Sequence, residues 1–599
     1  MGTGVQVARG AETRGGACGE SGENRSRLSG GAFLVRETCI LDVFTPEDFT
    51  AEQHQYANTA RDFMVNEVLP HSDRIEEKDF ELSLELMRAA GELGLLMADV
   101  PEEYGGLALD KTSSALIYEN LSGQTSFQTL CGVHSSIGSL PIVYYGTPEQ
   151  KERYVPSLAT GELIGCYCLT EPAAGSDALA CRTKAVLSAD GTHYVLNGTK
   201  QFISNGGVAD VFTVFAKVDG KDFTAFIVDR DTPGLSTGPE EHKMGLRGSS
   251  TTNVILADAR VPVGNVLGEI GKGHKIAFNI LNFGRLKVGG VQSTGYCKLA
   301  LEASLAYCLE RKQFGRRLAD LGAIREKLAE MLVRTYVVES ATYRTLGLIQ
   351  AHIDASGNHD GAAVLAAGEQ YQVECALVKV SGTEILDFVV DEAVQCFGGY
   401  GYCSEYPVER YYRDARINRI FEGTNEINRI FAASALLRLG AAGRLPLAGV
   451  ETARAEGPLA SEERIVATLK RLCLLAMRAA EEKHGKAIAE QQPLLTRIAD
   501  LAALAYTAQS ALLRAQKDVG RRGAEAAGIP VAAARIACEE AARQAERFGL
   551  DLVTALRGTP AEASLAAGLA ELSARSSSDL IALRETIASR LVECERVVL

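Results

Sequence analysis

At 599 residues the chain has room for roughly three to four domains, each with its own core. Apolar residues make up 46% and charged residues 23%, and the formal net charge is −14, which argues against a general nucleic-acid binder but leaves room for a local basic pocket. No apolar run approaches the roughly 18 residues of a membrane helix, and the fourteen scattered cysteines form neither C-x-x-C nor a zinc-type His/Cys cluster, so reduced thiols and no metal site are expected.

In chain order, residues 1–35 are rich in Gly, Ser and Arg and lack an apolar signal core. Glu12, Glu20 and Glu23 fit poorly with a transit peptide, and Gln6 stands where myristoylation wants Ser or Thr. A disordered leader is the reading. Residues 36–163 carry a helical period, with Thr50 as a cap and a stop at Pro70. Residues 164–272 change character: Asp190-Gly191, Asn197-Gly198 and Asp219-Gly220 look like turns between β-rich runs such as HYVLN, VFTVFAKV and FTAFIVD. Helical segments return over 273–440. A Gly/Ala/Pro-rich linker follows at 441–459, and 460–599 is a further Ala/Leu-rich helical region. The fold class expected is mainly α with a middle β domain.

No P-loop, no G-x-G-x-x-G opening a βαβ unit, no G-x-S-x-G elbow and no H-E-x-x-H occurs. What remains is a series of Gly-rich segments. CYCLTEPAAGSD (166–177) offers small residues and the hydroxyls of Thr170 and Ser176; taken alone it is equally a tight turn. KQFISNGG (200–207) supplies Phe202 to pack on a flat ring and Ser204 to bond its edge, although a hairpin with an Asn-Gly-Gly turn explains it as well. ERKQFG (310–315) puts Arg311 at a helix end beside Phe314, and QCFGGYGY (395–402) reads most simply as a helix C-cap. In RIFEGTNEINRIF (419–431), Glu422 stands where an apolar stretch meets a glycine. Thr424 is a candidate N-cap with Ile427, Leu436 and Leu437 near helical spacing behind it. Ile420 and Phe421 are expected to keep water from that acid. By itself the glutamate is as readily a helix-dipole partner as a functional acid.

Together, TEPAAGSD, FISNGG, RKQFG, VQCFGGYGY and FEGTNEI resemble the acyl-CoA dehydrogenases, over about residues 44–438. The length, the appended helical region and the stretches KMGLRGSSTTNVILADARVPVGNVLGE and ILNFGRLKVGG resemble the very-long-chain subgroup. The resemblance implies an N-terminal helical domain, a β-barrel-like middle domain, a C-terminal helical bundle and an extra helical domain. It also implies FAD as cofactor, a fatty acyl-CoA substrate, electron-transfer flavoprotein as acceptor, and a homodimer. By this resemblance Tyr167, Leu169, Thr170, Ser176, Phe202 and Ser204 line the flavin. Arg311, Gln313, Phe314, Gln395, Gly398 and Gly399 grip its adenine and pyrophosphate half across a subunit interface, and Thr424 and Glu426 lie near it. Glu422 matches the catalytic base, and Ser176, Phe283, Arg285, Phe421, Glu422 and Gly423 are the substrate-binding positions it suggests. The helix on which some relatives carry their base reads LNFGRLKVGG here and has no acid.

Phe202 replaces the Trp common in the family. The interval before the extra domain has only Arg444 and Arg454 as basic residues, so membrane association is expected to be weak or absent. The resemblance fits a cytoplasmic bacterial enzyme, or a mitochondrial matrix one if the source is eukaryotic. Two alternatives stay open: an acyl-CoA oxidase that uses oxygen, and an assembly protein with residual activity.

Overall fold

The computed structural model describes residues 30–447, 457–575 and 578–599, so most of the expected leader and the linker segment with Arg454 lie outside the described residues. Residues 30–35 differ from the expectation of disorder. Gly30 N–H donates to the Gln370 carbonyl at 2.7 Å and Gly31 N–H to Glu374 Oε1 at 2.8 Å. Phe33 and Leu34 are buried, Phe33 edge-on to the Tyr506 ring. Two glycines read as linker, while the two apolar residues behind them are enough to anchor the strand to the core.

The first helical layer holds α1 (Ala51–Phe63), α2 (Ser72–Glu76), α3 (Phe80–Glu92), α4 (Lys111–Asn120), α5 (Thr125–Val133), α6 (Leu140–Tyr145) and α7 (Pro148–Ala159). Thr50 caps α1 in a reciprocal box with Gln53. The strands follow: β1 (Gly165–Cys168), β2 (Lys184–Leu187), β3 (His193–Ser204), β4 (Val211–Val218), β5 (Asp222–Asp229), β6 (Leu235–Thr237), β7 (Thr251–Pro262) and β8 (Val266–Leu267). Their order is β6-β7-β3-β2-β4-β5-β8, with β1 parallel to β4.

Two turn assignments are corrected by this topology. Asn197-Gly198 lies inside β3, where the register against β7 slips between Leu196 and Gly198. A β-carbon at Gly198 would stand 2.8 Å from Thr183 Cα, so the glycine serves close strand approach and not a turn. KQFISNGG is likewise no hairpin, because β2 lies between β3 and β4 and the Asn205–Gly207 turn starts a crossover.

The third layer contains α8 (Gly273–Leu286), running through a π-helical turn at Lys287–Gln292 into α9 (Ser293–Glu310), a two-stranded hairpin of β9 (Lys312–Gln313) and β10 (Arg316–Arg317), α10 (Gly322–Ser356), α11 (Gly361–Gln370), α12 (Gln372–Phe397), α13 (Pro407–Ala415) and α14 (Asn425–Ala441). The extra region adds α15 (Ala460–His484), α16 (Gln492–Arg522), α17 (Gly528–Ala555), α18 (Glu562–Ser573) and α19 (Leu580–Cys594). It is docked, not tethered: α16 packs on α10, α12 and α14. Buried Arg514 pairs with Glu339 at 2.6 Å and Glu47 at 2.7 Å, while Arg429 of α14 reaches Asp500 at 2.6 Å. No helix among the described residues is long and apolar enough to cross a membrane.

Candidate active site

The site is set by how closely α12 approaches the π-helical turn. A β-carbon at Gly382 would fall 1.7 Å from the Gly289 carbonyl oxygen, and one at Gly289 would fall 2.2 Å from Lys379 Cα. Glycine at both positions lets the two backbones touch. The contact brings Lys379, a lone cation in the apolar run ECALVKVSG, under the segment that follows Phe421. Its Nζ donates to the Gly423 carbonyl at 2.8 Å and to Asn425 Oδ1 at 2.7 Å. Asn428 Nδ2 adds a bond to the same carbonyl at 2.7 Å, and Thr424 Oγ1 caps α14 by accepting from Ile427 N–H. A buried cation and an amide thus clamp a loop of three residues.

At the head of that loop Glu422 has φ +56°, a left-handed conformation that costs a non-glycine residue about 1–2 kcal/mol. Its carboxyl points at α8. A β-carbon at Gly284 would lie 2.5 Å from Glu422 Oε2 and 2.9 Å from its Cδ, so the absent side chain of Gly284 is the space the carboxylate fills. Oε2 is buried and has no hydrogen-bond partner among the described residues. Burial drives the acid up to a pKa of about 7, against the opposing pull of Arg285, Lys379 and Lys287. In turn, burial pulls the ammoniums of Lys379 and Lys287 down to about 8.

Arg285 is buried, its Nη1 donates to Asn282 Oδ1 at 2.9 Å, and its guanidinium stacks 4.8 Å from the Phe431 ring centroid, leaving Nε unpartnered. Phe283 sits over Gly368, the two so close that a β-carbon there would meet the ring at 2.7 Å. The expectation that Ile420 and Phe421 exclude water is corrected. Ile420 is 49% exposed and Phe421 only half-buried, so the acid is shielded chiefly from the α8 side. Ile427, expected on the buried face of α14, is exposed as well, while Leu436 and Leu437 are buried.

The remaining candidates fall into two groups. Near Glu422, Tyr167 and Leu169 are buried on and just after β1, and the charge of Glu422 reaches the Tyr167 phenol. Thr170 C=O accepts from Gln201 N–H at 2.9 Å, joining the β1 end to the β3 end. There Phe202, at φ +57°, holds its ring 58% exposed, with Ser204 half-buried beside it. Ser176 is exposed in the loop after β1. The second group lies elsewhere. Gln395 is sixteen residues along α12 from Lys379, about 24 Å at 1.5 Å per residue. Gly398 and Gly399 follow it, exposed and open to solvent. Arg311 approaches this loop, 5.6 Å from the Tyr400 ring, and Gln313 and Phe314 extend from the adjoining hairpin, Phe314 90% exposed at φ +54°. Glu426 is exposed in the first turn of α14. One chain therefore does not bring the second group to Glu422.

Sequence reasoning missed Gly284, Tyr118, Lys379 and Lys287. The two lysines were legible as lone cations in apolar helical runs, whereas the role of Gly284 depends on which side chain faces it. No cluster that could hold a metal ion occurs among the described residues.

This arrangement matches known proteins along nearly its full length. The acyl-CoA dehydrogenase N-terminal domain family matches residues 50–162, the middle domain 166–259, the C-terminal domain 271–437, and a second acyl-CoA dehydrogenase C-terminal domain family 468–561. A probable acyl-CoA dehydrogenase of Bacillus subtilis (strain 168) is 46% identical over 95% of this chain and 98% of its own. The mitochondrial very long-chain specific acyl-CoA dehydrogenase of Homo sapiens is 38% identical over 72% of this chain and 69% of its own. The crystal structure of an acyl-CoA dehydrogenase complexed with FAD from Bacillus anthracis is 46% identical, with a TM-score of 0.93 over 96% of this chain and 100% of that one. With an elevated glutamate in an α8–α12–α14 pocket and relatives aligned from end to end, the chain belongs to the acyl-CoA dehydrogenase family.

Proposed function

We propose that the protein is an FAD-dependent dehydrogenase that converts long-chain acyl-CoA to the trans-2-enoyl-CoA, with Glu422 as the base. The observation that carries this reading is the unpartnered Oε2 of Glu422, held against the vacant side-chain position of Gly284. An acyl α-proton is weakly acidic, and its removal needs a positioned base with a pKa near the working pH; such a base contributes about 10²–10⁴-fold. Burial gives Glu422 that basicity. The clamp from Lys379 and Asn428 fixes its backbone, and the Glu422 N–H, which no backbone carbonyl among the described residues takes up, is placed to steady the thioester oxygen as negative charge develops there. Phe283, Arg285, Phe421 and Gly423 shape the pocket around the reacting carbons, and exposed Ser176 serves the pantetheine side.

The residues fit a flavin. Phe202 offers an uncovered ring face at the end of β3, Thr170 and Ser204 offer hydroxyls beside it, and Tyr167 and Leu169 form the floor. Arg311, Gln313, Phe314, Gln395, Gly398 and Gly399 suit the pyrophosphate and adenine half, with Thr424 and Glu426 near the dinucleotide. Bound FAD supplies the acceptor for the hydride that leaves the β-carbon. The roughly 24 Å along α12 between the two groups favours a cofactor shared by two copies, hence a homodimer. Electron-transfer flavoprotein is the proposed onward acceptor.

The test is anaerobic flavin bleaching by acyl-CoA. The parent should bleach, and Glu422→Gln should retain FAD but bleach at least a hundredfold more slowly, the low end of a general base's contribution, about 10². Bleaching of the Gln variant at the parent rate would remove Glu422 from the chemistry. Stoichiometric hydrogen peroxide with no carrier present would make the protein an oxidase, and a colourless protein that cannot be loaded with FAD would leave only an assembly role.

A further inference from the structure

Past Glu422, on the same side of α8, stands a second buried charge that the reaction does not use. Lys287 follows Gly284 by three residues and Phe283 by four, so its stem continues the face that receives the carboxylate. Its Nζ donates to the Gly132 carbonyl at 3.3 Å and to Ser135 Oγ at 3.1 Å, and lies 4.1 Å over the Tyr118 ring. Tyr118 takes the side-chain space that Gly132 lacks: a β-carbon on Gly132 would fall 2.4 Å from its hydroxyl. The charge of Glu422 reaches both Tyr118 and Lys287, which places them at the edge of its pocket.

Behind this pair the chain is hollow. Asp99 and Lys111, paired with each other, also act on Lys287, and Lys111 Nζ lies 3.1 Å from Tyr144 Oη and 5.8 Å from the Phe283 ring centroid. Asp99, Lys111 and Tyr144 in turn line a cavity of about 1140 Å³, with Phe44, Leu109 and Val364 among its apolar walls. Lys287 and Tyr118 thus stand between the carboxylate and a space large enough for many methylenes. A hydrocarbon tail cannot replace the ammonium there without leaving the Gly132 carbonyl and the cation unsatisfied.

We propose that Lys287 and Tyr118 set the acyl chain length this enzyme accepts: the pocket ends at the ammonium, and the cavity beyond is closed while that residue stands. This rests on the acyl-CoA reading above. The test measures kcat/KM for straight-chain acyl-CoAs lengthened two carbons at a time, in the parent, Lys287→Met and Tyr118→Leu, each loaded with FAD. In the parent, kcat/KM should climb with length by about fourfold per buried methylene and then stop climbing. In Lys287→Met the climb should continue past that point, so that the ratio of variant to parent rises at least tenfold for the longer chains. Tyr118→Leu should shift the break in the same direction, and it serves if the first variant fails to fold.

An electrostatic effect on Glu422 alone would scale every chain length alike, so an unchanged profile in folded variants overturns the proposal. A parent profile that rises without a break through the longest chain overturns it with no variant needed. A parent that turns over no acyl-CoA at all removes the acyl-CoA reading, and this inference with it.

Discussion

Gly284→Ala separates catalysis from stability at a single atom. The new methyl would stand 2.5 Å from Glu422 Oε2, where ordinary contact begins near 3.4 Å, so the carboxyl must retreat by about 1 Å. A displacement of that size at a reacting group is worth on the order of 10²-fold in rate. The fold should scarcely notice. The obstructing atoms are the end of a flexible side chain, and alanine in a helix gains about 0.5–1 kcal/mol over glycine. The expected result is a kcat near one hundredth of the parent, with FAD content retained and Tm unchanged or slightly raised. Thermal denaturation and stopped-flow reduction of the flavin by acyl-CoA read the two quantities separately. A kcat within a factor of about two of the parent would refute the placement of the carboxylate against α8, since a base contributes at least about 10². A large loss of Tm would refute it too, because it would mean the methyl collides with backbone.

The elevated pKa of Glu422 has two consequences. Since the base must be ionised, kcat/KM should rise through about pH 7, and Glu422→Asp should move that limb. Between the ordinary value of 4.5 and about 7 the folded state holds a proton the unfolded chain has lost, so stability falls as pH rises across that window, by up to about 3 kcal/mol. Glu422→Gln lacks this slope, and its Tm advantage over the parent should grow from pH 4.5 to 7; a constant difference would count against the buried ionisation. Lys379→Met leaves the Gly423 carbonyl and Asn425 Oδ1 without their cation and should destabilise the fold by about 1–3 kcal/mol in chemical denaturation while also lowering kcat. Phe202→Gly relieves a left-handed phenylalanine, so the FAD-free protein should hold or gain Tm while FAD affinity falls; a joint fall of both would make Phe202 a structural residue only.

The order of layers was legible because it rests on period and punctuation. Thr50 and Thr424 read as caps and are caps, and Asp219-Gly220 reads as a turn and joins β4 to β5. Where reading failed, the missing information was tertiary. Asn197-Gly198 carries the strongest hairpin signal in the chain, yet it sits inside β3 because Thr183 of the neighbouring segment needs the room. Ile420 looks like a shield for Glu422 and is half-exposed, while the shield comes from α8, some 135 residues away in sequence. The docking of residues 30–35 escaped because two apolar residues set no period.

The backbone adds one relation that composition conceals. Phe202, Phe314 and Glu422 all have positive φ, between +54° and +57°, and all three had been singled out for ligand roles. Neither phenylalanine nor glutamate favours that conformation, which costs each about 1–2 kcal/mol, and a bond network must hold it. At Phe202 the network is the β3–β7 register around it, at Phe314 the β9–β10 hairpin, and at Glu422 the Lys379–Asn428 clamp. In two cases a glycine follows directly, Gly315 and Gly423, itself at positive φ, so the chain reverses immediately and leaves the preceding side chain projecting. Projection is what the two rings and the carboxyl share: Phe202 and Phe314 stand exposed, and Glu422 Oε2 is aimed without a partner at the space above Gly284. Strain of this kind, retained at three positions and absent from the apolar core around them, is what a scaffold shows where side chains are held for a ligand and not for packing.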